Sequence, residues 1–148
     1  MTEAEFTVFI KDGAEECFAQ RGDVIPTIFF AAATPDGKKG IMAIPVGPLI
    51  VEDAQGVNVD KVGQLIAQIR VRSQRVAFVH LACQAEQGDE ESKDVEVKRV
   101  VGILFYFGMR VVAHYAEILA TTGKPILMNW TTTAVNGGRL AQPPPNWN

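Results

Sequence analysis

Apolar residues dominate positions 95–119, which read VEVKRVVGILFYFGMRVVAHYAEIL and break only around Phe107-Gly108. Near-continuous hydrophobicity over strand-length segments demands cover on both faces, unlike the alternation of a strand with one wet face. The pattern predicts two central strands, residues 95–107 and 109–119, turning near Gly108. Residues 76–86 form a strand before them, and residues 125–133 form a last strand expected at the edge of the sheet.

Upstream, the apolar period changes to that of a helix. Thr2-Glu3-Ala4-Glu5 has the form of a capping box. Phe6, Phe9, Ile10, Ala14, Cys17 and Phe18 then recur at helical spacing, and Gly22 is a natural stop. Asp12-Gly13 weakens the middle of this helix, since glycine costs roughly 1 kcal/mol there relative to alanine. Residues 24–33 and 40–46 flank Thr34-Pro35-Asp36-Gly37. Proline presets one backbone angle and glycine accepts a positive one, which predicts a β-hairpin. A loop spans 49–56. From Asn58 a second helix follows, with Val59, Val62, Leu65, Ile66 and Ile69 on one stripe and Arg70 and Arg72 at its end, where cations suit the helix dipole.

The order is helix, hairpin, helix, meander. Short connections favour antiparallel pairing, so the expected class is α+β: a two-layer sandwich with both helices on one face of a five- or six-stranded sheet. Residues 1–133 form the single expected domain, and residues 134–148, with Gly137-Gly138 and Pro143-Pro144-Pro145, read as an extended or disordered tail. Helices on one face leave the other bare. A second copy of the chain is the expected cover, making the protein a homodimer, with the tail and its aromatic neighbours Trp130 and Trp147 as the alternative.

The stretch Gly22-Asp23-Val24-Ile25-Pro26-Thr27-Ile28-Phe29, the Ile44-Pro45 strand end, and Val76-Ala77-Phe78-Val79 after an amphipathic helix carry a resemblance. They look like a small bacterial family of uncharacterised α+β proteins marked by a G-x-V-x-P-x-x-F hairpin and an F-V strand. The likeness spans roughly residues 6–130 and departs after Val79, where His80-Leu81-Ala82-Cys83 stands. It implies the fold and supplies no catalytic residue. The element order is also similar to that of roadblock-type dimeric regulators, a likeness of architecture that assigns no role.

Composition narrows the classes of function. The 148 residues suit one domain, and 47% hydrophobic content suffices for a core. A formal charge of -3 without a basic stripe argues against a nucleic-acid partner. No apolar run is long and charge-free enough for a membrane span, and the acidic start MTEAEFTVF lacks the basic region of a signal peptide. Cys17 and Cys83 in apolar contexts suggest free, buried thiols in a reducing cytoplasm, with a bridge between the two as the alternative.

Chemistry-bearing groups are sparse. His80 and Cys83 are three apart on a strand and so face opposite ways, as do His114 and Glu117. His80 and His114 are the catalytic candidates, as general bases, but a hydrogen-bonded or interface histidine is the plainer reading of each. Glu86, Asp89, Glu90, Glu91 and Asp94 lack calcium-loop spacing, and Gly37-Lys38-Lys39-Gly40 and Gly123-Lys124 lack a phosphate-loop context. Arg70, Arg72 and Arg75 with Lys98, Arg99 and Arg110 suggest an anion patch, against which stands a solvated helix end. No metal or cofactor is expected. The favoured function is a non-enzymatic homodimeric interaction or regulatory module, with interface or pocket candidates Phe29, Phe78, Phe105, Tyr106, Phe107 and Trp130. The alternatives are a small-molecule-binding domain with an apolar pocket lined by Phe29, Phe78, Phe105 and Tyr106, and a hydrolase-type enzyme using His80 or His114.

Overall fold

The structure is a computed structural model that describes residues 2–33, 36–46, 59–85, 97–119, 126–136 and 140, the side chains of 59–60, 82–85 and 97–98 excepted. The expected loop at 49–56, the Asn58 cap, the acidic turn at 87–94, the turn at 121–124 and the tail beyond residue 140 lie outside the described residues.

Helix α1 (Glu3–Arg21) starts at the expected capping box. The Thr2 side chain accepts from the Glu5 N–H, and the Glu5 carboxylate accepts from the Thr2 N–H. It ends at Gly22, whose φ of 68° is left-handed and whose N–H reaches the Phe18 carbonyl at 2.7 Å. Gly13 does not interrupt it; a Cβ there would meet open space. Phe6, Ile10, Ala14 and Phe18 are buried, while Phe9, counted in the apolar stripe, is 52% exposed. Strands β1 (Thr27–Ala33) and β2 (Lys39–Pro45) form the hairpin. Helix α2 (Val59–Arg72) follows, then β3 (Arg75–Ala85), β4 (Val97–Phe107), β5 (Arg110–Leu119) and β6 (Ile126–Ala134).

All six strands lie in one antiparallel sheet of order β2-β1-β3-β4-β5-β6. Of the two strands expected at the centre, β4 lies there, beside β3, and Val76, Ala77, Phe78, Val79, Val100, Val101, Ile103, Leu104, Phe105 and Tyr106 are all buried; β5 lies one place further out, next to the edge strand β6, and is buried only at Val111, Ala113 and Ala116. The turn from β4 to β5 falls at Gly108, whose φ of 61° needs a residue without a Cβ penalty.

The α+β class and the antiparallel sheet agree with the sequence. The placement of both helices on one face, and with it the two-layer arrangement, does not. Phe6, Ile10, Ala14 and Phe18 of α1 pack with Ala77, Val79, Val101, Ile103 and Phe105. Val62 and Ile66 of α2 pack with Val76, Phe78, Leu104 and Tyr106. These strand residues interleave one by one, and successive strand residues point to opposite faces. The helices therefore cover opposite faces, one layer each. The reason for expecting a second subunit over the sheet was a bare face, and α2 occupies that face. Val135 and Leu140 add to the same layer: the Tyr106 hydroxyl donates to the Leu140 carbonyl at 2.7 Å, and the Val135 N–H to the Val111 carbonyl at 3.0 Å.

Arg70 ties the α2 layer to the end of the sheet. It is only 3% exposed, its guanidinium lies 4.9 Å from the Tyr106 ring centroid, and one terminal N–H donates to the Gly108 carbonyl at 2.9 Å. Burial lowers the Arg70 pKa from its ordinary value, and the same burial pushes the Tyr106 hydroxyl up.

Phe105 sits under α1, edge-on to Phe6 with ring centroids 6.2 Å apart. Phe105→Ala is expected to cost about 3–5 kcal/mol in urea denaturation, as a fully buried aromatic does. A loss below about 1 kcal/mol would show that the position is not core.

Candidate functional site

The two histidines, the catalytic candidates of the sequence, lie on opposite faces. His80 stacks on Phe78 of the α2 layer at 4.9 Å. His114 meets the edge of Phe105 in the α1 layer, also at 4.9 Å. The sheet separates them, so they share no site.

His80 owes its position to a glycine. The register sets His80 against Gly102 and Gly102 against Tyr115, a row across three strands. A Cβ on Gly102 would lie 3.0 Å from His80 Cε1, 3.1 Å from Nε2 and 3.2 Å from the Tyr115 ring. Absence of that Cβ lets the imidazole lie flat over the β4 backbone. His80 Nδ1 is 3.3 Å from the Leu81 carbonyl, which can only accept, so Nδ1 carries the proton. Nε2 is left as a buried acceptor with no partner. Burial lowers the His80 pKa, only partly opposed by the Leu81 contact. His114 is also lowered, first by burial and then by the charge of Lys11; its Nδ1 is 3.5 Å from Thr132 Oγ1. Among the described residues neither ring is hydrogen-bonded to a carboxylate. Both behave as neutral packing groups.

Of the pocket and interface candidates, Phe105 and Phe78 are buried, as is Tyr106. They divide between the layers: Phe29, Phe105 and Phe107 face α1, and Phe78 and Tyr106 face α2. Trp130 packs on the α1 layer, where its indole N–H donates to Glu15 at 2.6 Å and Lys11 lies 4.8 Å from its ring centroid. A bulge makes this reach possible. Tyr115 pairs with Thr131 and Glu117 with Met128, so Asn129 and Trp130 oppose the single residue Ala116. Asn129 takes a left-handed φ of 57°. The extra residue shifts the alternation by one, so that Leu127 and Trp130, three apart, both face the α1 layer.

Cavities lie elsewhere, at the corner where β1 outruns its neighbour. β1 pairs with β2 along residues 27–33 but with β3 only along 27–30. The remainder, Ala31-Ala32-Ala33, faces the α2–β3 junction across a notch. Ser73 bridges its root: the hydroxyl donates to the Ala31 carbonyl at 2.8 Å, and the Arg75 N–H returns a contact to Oγ at 3.4 Å. A cavity of about 310 Å³ is lined by Ala31–Ala33, Lys39, Gly40, Ile41 and 72–75. A second, of about 770 Å³, is lined by Phe30, Leu65, Gln68, Ile69 and Val71. Ala31, Ala32, Ala33, Arg72 and Ser73 line both, so the two adjoin. The sequence pointed to larger aromatics; the signal for this cleft is a run of small side chains on a strand end that no described strand of the α2–β3 side pairs.

Among the described residues no group of three or more His, Cys, Asp and Glu side chains comes together, Cys17 is a free thiol, and no helix is long and apolar enough to cross a membrane. Compared with protein-family models, with curated proteins and with solved structures, the chain gives no match in any of the three.

The histidines set a pH dependence. A histidine whose folded pKa lies below its unfolded value near 6.5 stabilises the fold fully above that value, and the contribution is lost as pH falls through the window beneath it. Urea denaturation at pH 7 and pH 5 is expected to give lower stability at pH 5, with the difference reduced in His80→Phe. Equal differences in both proteins would remove His80 from the account. Separately, Gly102→Ala is expected to cost about 1–3 kcal/mol through overpacking. In a His80→Ala background the penalty should shrink by about 1 kcal/mol, since the ring that must move is gone. Strict additivity would contradict the packing.

Proposed function

We propose that this protein is a non-enzymatic ligand-binding module whose binding site is the cleft formed by the two cavities at the β1, α2 and β3 corner. One observation carries the reading: β1 runs past its pairing with β3, and its last three residues, alanines paired on the β2 side alone, border volumes of about 310 and 770 Å³. Volumes of this order suit a small organic molecule, and the lining joins apolar walls to a few polar groups, as ligand sites do. A bare sheet face is the ground for an interaction module, and α2 lies on that face. The separation of His80 from His114 by the sheet weighs against the enzyme reading.

The test is a neutral solvatochromic dye, Nile red, titrated against the full chain. Saturable fluorescence enhancement is expected, and Ala32→Leu, which adds atoms where the cavities adjoin, should weaken it at least tenfold while the melting transition stays cooperative. No saturable enhancement, or equal binding by the variant, would overturn the assignment of the cleft.

A further inference from the structure

We infer that the ligand of this cleft is an amphiphilic oxyanion, with a carboxylate or phosphate head held by Arg75, Arg72 and Lys39 and an apolar body lying against Phe30, Leu65 and Ile69. The inference rests on the reading of the cleft as a binding site and names what fills it.

Charge is the first support. The chain is acidic overall, at -3, yet among the described residues every charged side chain lining the smaller cavity is a cation: Lys39, Arg72 and Arg75. They arrive from three different elements, β2, α2 and β3, so their convergence is not the basic last turn of one helix. Arg72 alone has a simple explanation in the helix dipole. Lys39 lies on a strand of the hairpin, and Arg75 opens β3.

The second support is an unmet donor. Arg75 Nε is buried and has no hydrogen-bond partner. Neither do the side chains of Lys39, Arg72 and Arg75 take part in an ion pair among the described residues. A guanidinium presents its N–H groups in a planar fork that fits carboxylate or phosphate oxygens, and a buried N–H of that fork is completed by such an oxygen. Ser73, beside them, has its hydroxyl proton already committed to the Ala31 carbonyl, so the cations supply the recognition.

The third support is the second cavity. Its walls are Phe30, Leu65, Ile69 and Val71, with Val71 51% exposed at its mouth, and it adjoins the cationic cavity through Ala31–Ala33. By register Lys39 and Arg75 share the α1 face with Ile41 and Phe107, and Phe30, Leu65 and Ile69 belong to the α2 layer, so a molecule that spans both volumes passes the notch beside Ala31–Ala33, where β3 pairs no residue of β1. A molecule charged at one end and apolar along the other matches both halves, whereas a free inorganic anion or a neutral hydrocarbon matches one.

The experiment titrates the full chain with octanoate, octyl phosphate, 1-octanol and inorganic phosphate, each below its aggregation threshold, followed by amide chemical shifts and calorimetry. Octanoate or octyl phosphate should bind at least tenfold tighter than 1-octanol, with shifts centred on Ala31–Ala33, and the tighter of the two identifies the head. Arg75→Gln should bring the affinity for the charged ligand down to that of 1-octanol and leave 1-octanol unaffected. Arg72→Gln and Lys39→Gln, at exposed positions, should each weaken the charged ligand severalfold and serve if Arg75→Gln folds poorly. Equal affinity for octanoate, octyl phosphate and 1-octanol would overturn the anionic head while sparing the cleft. Inorganic phosphate binding as tightly as octyl phosphate would overturn the apolar body. No binding of any probe would overturn the cleft itself.

Discussion

The whole architecture follows from burying β3 and β4 on both faces. A strand such as residues 100–106, apolar at every position, has no side that tolerates water, so each face must receive its own layer. α1 supplies one and α2 the other, and the core is two cores separated by the sheet. This arrangement dictates what every other side chain can do. Residues one apart on a central strand belong to different layers, and groups adjacent in sequence never cooperate. It also explains why the polar ties sit at the ends: Arg70 reaches the Gly108 turn, Trp130 reaches Glu15, and Arg110 pairs with Glu3, each fastening a layer to the sheet without placing a charge in its middle.

Much of this was written in the residue pattern. The capping box at Thr2 and the stop at Gly22 mark α1 because both are local hydrogen-bond motifs, independent of what the helix packs against. The absence of polar positions in 100–107 marks a central strand for the same reason. What the pattern does not carry is the choice of face. An apolar stripe on α1 says that the helix packs on something, yet both sides of β3 and β4 are equally apolar, so nothing in the stripe selects a side. Phe9 shows the same limit: it fits the helical period and still lies at the rim of the contact. The histidines are a further case. Spacing excludes His80 with Cys83, but the separation of His80 from His114 depends on the pairing of β3, β4 and β5, which long-range register decides.

The cleft was the least visible feature. Ala31-Ala32-Ala33 reads as an ordinary weak strand end, and Arg72 and Arg75 read as the solvated end of a helix. Their meaning comes from a mismatch of lengths: the hairpin partner of β1 follows it to Ala33, whereas β3 starts only at Arg75 and pairs no further than Phe30. Small side chains on the unpaired stretch keep the notch open, and Ser73 closes its root. A site of this kind is a by-product of topology, in which the strand that follows α2 begins too late to pair with the end of β1.

The bulge at Asn129 has a bearing beyond the aim of Trp130. A second polypeptide laid along β6 would need a regular ladder of donors and acceptors, and the left-handed residue breaks that ladder in the middle of the strand. Such a bulge is one of the devices by which a sheet edge resists lateral growth into fibrils, and the sequence sets Lys124-Pro125 directly before β6 as well. The side chain that anchors α1 and the kink that makes this border of the sheet inhospitable to other chains are thus products of one inserted residue.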